Sequence, residues 1–221
     1  MKVISLGNNC DIAQMLRYNN LRKEGYPFDW IWTSIDFLIE TFTTDYFVFT
    51  ECEKLICKSE FNGKSDTCIE YNNNNNNEFS SINKLIKAIS VHDADNMKNE
   101  NELREKIVEI NEKYKRKFER LYSDINNEDK IIFVRKVSPA NEIPLENTTD
   151  TIEKIEELYR LLISKFKCEI IICILDEKGI LMNNLERKKY NIDNNTINID
   201  NNIFIFKSAF VLIPFIRKKS I

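Results

Sequence analysis

The chain has 221 residues, 43% of them hydrophobic and 30% charged, with a net charge of −3. That length suits one large domain with a sizeable core, and the charge supplies no basic field to gather nucleic acid or anionic lipid. No apolar run approaches the ~20 residues needed to span a bilayer, and the opening MKVISLGNNCDIAQ lacks the long apolar core and cleavage site of a secretory signal. A cytoplasmic protein without nucleic-acid or membrane partners is expected. There are 28 Asn but only four Gly and four Pro. Asn, Ile and Lys share A/T-rich codons, so the bias reads as genomic and motifs built from Asn or Lys carry little weight.

Residues 2–6 (KVISL) are short, apolar and β-branched, and Gly7-Asn8-Asn9 breaks the strand. Residues 11–18 follow with Ile12, Met15 and Leu16 at helical spacing, which sets Cys10 at a helix N-terminus just past a strand. The loop at 21–32 is dense in aromatics, and Tyr26-Pro27 forces extended backbone there. Ser34 is a suitable cap for a helix over 35–42. Residues 45–70 give only weak strand signals. The six Asn of 72–77 have no means of burying surface and read as a disordered surface insertion. A short helical stretch is expected over 82–90.

The strongest helix signal covers 100–125, where Leu103, Ile107, Ile110, Tyr114, Phe118, Leu121 and Ile125 recur at three- and four-residue steps. Its Lys113, Lys115, Arg116, Lys117 and Arg120 either contact an anion or form a solvated face. Residues 130–135 read as a buried strand ending in Arg135, 150–166 as an amphipathic helix with Asp150 near its start, and 168–175 as a second apolar strand followed by Asp176. A weaker strand or pair covers 196–206, and 209–221 is an apolar then basic tail. The expected fold is α/β over 1–221: a single domain with a mainly parallel sheet and helices on both faces. Ligands of such sheets sit at the carboxyl ends of the strands, where Cys10, Arg135 and Asp176 all fall.

A helix N-terminus offers unpaired N–H groups and partial positive charge, and both favour a thiolate. Cys10 is therefore a nucleophile candidate, although a small residue filling a tight turn would look the same. The N–H groups near it, with the side chain of Asn8 or Asn9, could hold an oxyanion. The other cysteines (52, 57, 68, 168 and 173) form no CxxC and read as small buried apolar residues. With a single histidine, His92, zinc is poorly supported and any Cys–His mechanism must use that residue. Asp29, Asp93, Asp95 and Asp176 are the carboxylates that could orient the imidazole. There is no GxGxxG, Walker A, HExxH or GxSxG motif, and Cys10 to Arg17 is one residue too long for a tyrosine-phosphatase phosphate loop.

The segments Ser5-Leu6-Gly7-Asn8-Asn9-Cys10, Pro27-Phe28-Asp29-Trp30, His92-Asp93 and Phe133-Val134-Arg135 together resemble a family of bacteria and large DNA viruses known as papain-like cysteine peptidases. The likeness spans roughly residues 1–175, and the first 32 carry most of its specificity. It implies Cys10 as nucleophile and His92 as base. Beside it, Asp29 or Asp93 would hold the imidazole, Asn9 would contribute to the oxyanion site, and Arg135 and Trp30 would contact substrate. Neither a metal nor an organic cofactor is expected. The partner would be a protein or acylated substrate. An esterase or acyltransferase acting on acylated glycans, and an inactive interaction protein, are the alternatives. Phe28 and Trp30 could equally plug the core while Asp29 caps backbone N–H groups.

Overall fold

The computed structural model describes residues 1–8, 10–44, 55–58, 68–72, 87–90, 100–137, 150–182, 191–192, 196–200 and 202–219. The continuous apolar runs of the sequence become parallel strands. β1 (Lys2–Ser5), β6 (Lys130–Lys136), β7 (Glu169–Leu175) and β10 (Ile203–Phe206) lie side by side in that order. Two antiparallel strands, β9 (Thr196–Asp200) and β8 (Asn191–Ile192), extend the far edge. A second, antiparallel sheet has the order β2 (Ile31–Thr33), β5 (Lys87–Ser90), β4 (Cys68–Asn72), β3 (Leu55–Lys58).

Strands apolar on both sides need cover on both sides. One face of the main sheet, through Val3, Ile132, Val134, Ile171 and Cys173, packs on α1 (Cys10–Tyr18) and α5 (Ala209–Lys219). The opposite face, through Ile4, Ile131, Phe133, Ile170 and Ile172, packs on α2 (Ile35–Thr44), α3 (Glu100–Asn127) and α4 (Ile152–Lys165). The mainly parallel α/β sheet covered on both faces is thus the fold expected. The stripe read on α3 faces the core, with Ile110, Tyr114, Phe118, Leu121 and Ile125 all buried. Ser34 caps α2 by accepting the Phe37 N–H at 3.1 Å.

Three elements depart from the sequence reading. Residues 87–90 form a strand, not part of a helix, because pairing to β2 and β4 decides a run too short for its period to be diagnostic. Ile31–Thr33, inside the aromatic loop, is also a strand. The tail at 209–221 is largely helix, and Leu212 and Ile216 bury its inner face in spite of Pro214 within it. Asn72 closes β4, and the rest of the Asn tract lies outside the described residues. Among those residues no helix is long and apolar enough to cross a membrane.

Candidate active site

Cys10 is the first residue of α1 and half-buried. The chain reaches it from β1 through two consecutive left-handed residues, Gly7 (φ 80°) and Asn8 (φ 75°). Only glycine, and less readily Asn or Asp, visits that region at low cost. Gly7 is also required by space: a Cβ there would lie 2.5 Å from Thr33 Oγ1 and 3.1 Å from the carbonyls of Phe28 and Ile31. The Pro-Phe-Asp-Trp loop therefore presses against the turn that presents Cys10.

Asn8 is fully buried. Its amide donates to the Lys136 carbonyl at 2.6 Å, which fixes the turn to the end of β6. Its Oδ1 has no hydrogen-bond partner among the described residues. One N–H of the Asn8 amide is therefore spent on the Lys136 carbonyl, and the side chain serves to hold the turn. Asn9 lies outside the described residues.

Arg135 anchors the turn from below. Only 1% exposed, it uses all five of its N–H donors. Nε and Nη2 fork onto the two Asp150 oxygens at 2.7 and 2.8 Å. Nη1 donates to the Leu6 carbonyl and to Thr33 Oγ1, both at 3.2 Å, and Nη2 also reaches the Thr33 carbonyl at 2.9 Å. Thr33 Oγ1 in turn donates to the Leu6 carbonyl at 2.9 Å. One guanidinium ties β1, β2 and the start of α4 together beside Gly7. It has no donor left for a ligand, so the substrate-binding role expected of Arg135 becomes a positioning one. Thr33 and Asp150 complete this knot. They are 102 and 15 residues from Arg135, and no local signal in the sequence links them.

The electrostatics at Cys10 differ from those of an isolated helix terminus. Burial pushes the thiol above its usual 9.0, the neighbouring Asp11 charge adds to that, and a backbone hydrogen bond opposes both. Lys136 is drawn to Asp11 at 2.9 Å and Glu177 at 3.3 Å. Burial alone would lower its pKa, but these two carboxylates outweigh burial and raise it. Among the described residues the net effect raises the thiol pKa, the opposite direction to that expected from the helix end alone.

Asp29 is fully buried within its own loop. It accepts the Tyr26 N–H at 2.7 Å and pairs with Arg22, and its second oxygen lacks a hydrogen-bond partner among the described residues. Burial raises its pKa against the opposing effects of the Arg22 charge, the Tyr26 N–H and Lys117. Phe28 plugs the core between Phe42 and Phe118, with centroids at 6.0 and 5.7 Å. Trp30 is half-buried and faces the Arg22 guanidinium at 5.9 Å. Asp176 accepts from the backbone N–H groups of Ile180, Leu181 and Met182 at 2.7–2.9 Å and so shapes the loop after β7. His92, Asp93 and Asp95 lie outside the described residues. Cys173 is buried in the core and Cys168 is half-buried. On α3, Arg120 donates to the Gly25 carbonyl at 2.6 Å.

Fold and site together define an α/β protein that presents a cysteine where its first strand turns into its first helix. Residues 1–177 match the family described as "Putative papain-like cysteine peptidase (DUF1796)", and the chain belongs to that family. Uncharacterized protein R408 of Acanthamoeba polyphaga mimivirus is similar to it, 29% identical over 207 residues that cover 87% of this chain and 88% of that protein. No solved structure matches.

Proposed function

We propose that the protein is a cysteine-dependent hydrolase in which Cys10 attacks a carbonyl carbon and His92 moves the proton. The observation that carries this reading is the placement of Cys10: first residue of a helix, half-buried, after a turn of two left-handed residues at the carboxyl end of a parallel strand. Membership of the family agrees with it. The raised thiol pKa suits a nucleophile activated by a neighbouring base.

Chain connectivity supports His92 as that base. β5 ends at Ser90, which is registered against Ile31, and the Ile31 carbonyl abuts Gly7. Two residues of chain span at most ~7 Å, so the covalent path lets His92 approach the Cys10 turn. The imidazole would take the thiol proton and return it to the leaving group, after which water would release the acyl group from sulfur. N–H groups at the start of α1, around Asn9 and Cys10, would stabilise the oxyanion. With Asp29 engaged by Arg22 and Tyr26, the role of orienting the imidazole falls to Asp93.

A nucleophile following the first strand of a parallel, doubly covered sheet also suits esterases of acylated sugars. Treating the chain with p-nitrophenyl acetate should leave an acetyl group on Cys10 that mass spectrometry detects, and His92→Ala should lower its rate of formation by roughly 10²-fold or more. Turnover of esters without cleavage of peptides would select the esterase form. Absence of a Cys10 adduct would refute both.

A further inference from the structure

The Pro-Phe-Asp-Trp loop does more than press on Gly7. Its Asp29 carboxylate pairs with Arg22, and its Trp30 ring faces the same guanidinium. Arg22 is only 7% exposed along its side chain, yet it lines two adjoining clefts of about 470 and 540 Å³. The first lies at the opposite end of the main sheet from Cys10, between the start of β1, the loop after α1 and the last turn of α5, and the second lies between the end of α1 and the same loop.

Unlike Arg135, Arg22 has spare donor capacity. Among the described residues its charged neighbour is Asp29, which its Nη1 meets, while its Nε and Nη2 have no hydrogen-bond partner among those residues. Lys23 lines both clefts, Arg217 lines the one at β1, and Arg17 lines the other. None of these three has a carboxylate partner among the described residues, and Arg217 makes only a long 3.4 Å contact to the Asn19 carbonyl. The one acidic lining residue, Glu24, is answered by Arg120 at 3.9 Å. A chain of net charge −3 thus gathers three cations without a carboxylate partner among the described residues around a concavity, beside an arginine held in place by a carboxylate and an indole. The first cleft has the volume typical of small-molecule sites, and Val3, Leu21 and Tyr26 give it an apolar wall.

We propose that this cleft binds a small phosphate-bearing molecule, with Arg22 as the fixed fork and Lys23 and Arg217 as flanking charges. A guanidinium presents paired N–H donors that match phosphate oxygens, and charge-assisted bonds of this kind are the strong ones. The concave shape points to a free molecule over a membrane headgroup. The site is independent of the Cys10 chemistry.

Isothermal titration of the full chain with tripolyphosphate, inorganic phosphate and phosphatidylserine vesicles tests the proposal. Tripolyphosphate should bind, and the exposed double variant Lys23→Ala/Arg217→Ala should bind it at least about tenfold more weakly. Raising salt from about 50 to about 200 mM should also weaken it. Alkylation of Cys10 should be unchanged in that variant, which also reports that it is folded. No heat at millimolar tripolyphosphate, equal affinity in the double variant, or binding to vesicles alone would overturn the proposal.

Discussion

The two buried arginines teach opposite lessons. Arg135, at the Cys10 end of the sheet, spends five donors on five protein acceptors from three elements. Arg22, at the other end, is held by one carboxylate and one ring and opens onto two clefts. A saturated guanidinium is part of the scaffold, whereas an unsaturated one at a cavity wall is available to a ligand. Burial alone does not separate them, but a donor count does.

The comparison is sharpened first by Arg135→Ala. It leaves Asp150 charged and buried, and strips acceptors on β1 and β2, so a loss of about 3–5 kcal/mol in urea unfolding is expected. Next comes Gly7→Ala, where positive φ and the approach of Thr33 Oγ1 cost about 1–3 kcal/mol for the backbone alone and displace Cys10, so the alkylation rate falls along with stability. Arg22→Ala should cost less than Arg135→Ala, about 2 kcal/mol, because only Asp29 loses its partner. An equal or larger loss would break the comparison. Thr151→Ala removes a single cap bond to Lys154 N and should cost about 1 kcal/mol. Asp29 adds a test by pH. Its carboxyl pKa is raised in the fold, so its contribution to stability is full below 3.8 and is lost as pH rises through the raised value. Asp29→Asn should flatten that part of the stability–pH curve.

Much of the main sheet was legible because its strands are long, apolar and separated by clear helical periods, as in 130–136 and 169–175. The β1–α1 turn was legible for a different reason: Gly7 and Asn8-Asn9 break the strand just before the helical spacing begins, although the left-handed backbone of Gly7 and Asn8 shows only in the fold. The second sheet was not legible. Ile31–Thr33 and Lys87–Ser90 hold three and four residues, too few for a period to show, and their strand form rests on pairing to each other and of Lys87–Ser90 to β4, neither of which is local. Arg135 was seen as a strand-end residue and assigned to substrate. Its acceptors come from Leu6, Thr33 and Asp150, which only the folded chain assembles. The helix end at Cys10 was read correctly as a location. The burial and the Asp11 charge that raise its thiol pKa against a backbone hydrogen bond were not legible, because both depend on the packing around the turn.

The central claim is that Cys10 is a nucleophile activated by His92, and the pH dependence of Cys10 alkylation by iodoacetamide tests it most directly. Cys10 with a partner base should react at a plateau rate across pH ~6–8, where an imidazole carries the proton. His92→Ala should turn that profile into a single rise above the thiol's ordinary 9.0. A wild-type profile that already shows only this late rise, unaltered by His92→Ala, would contradict the account.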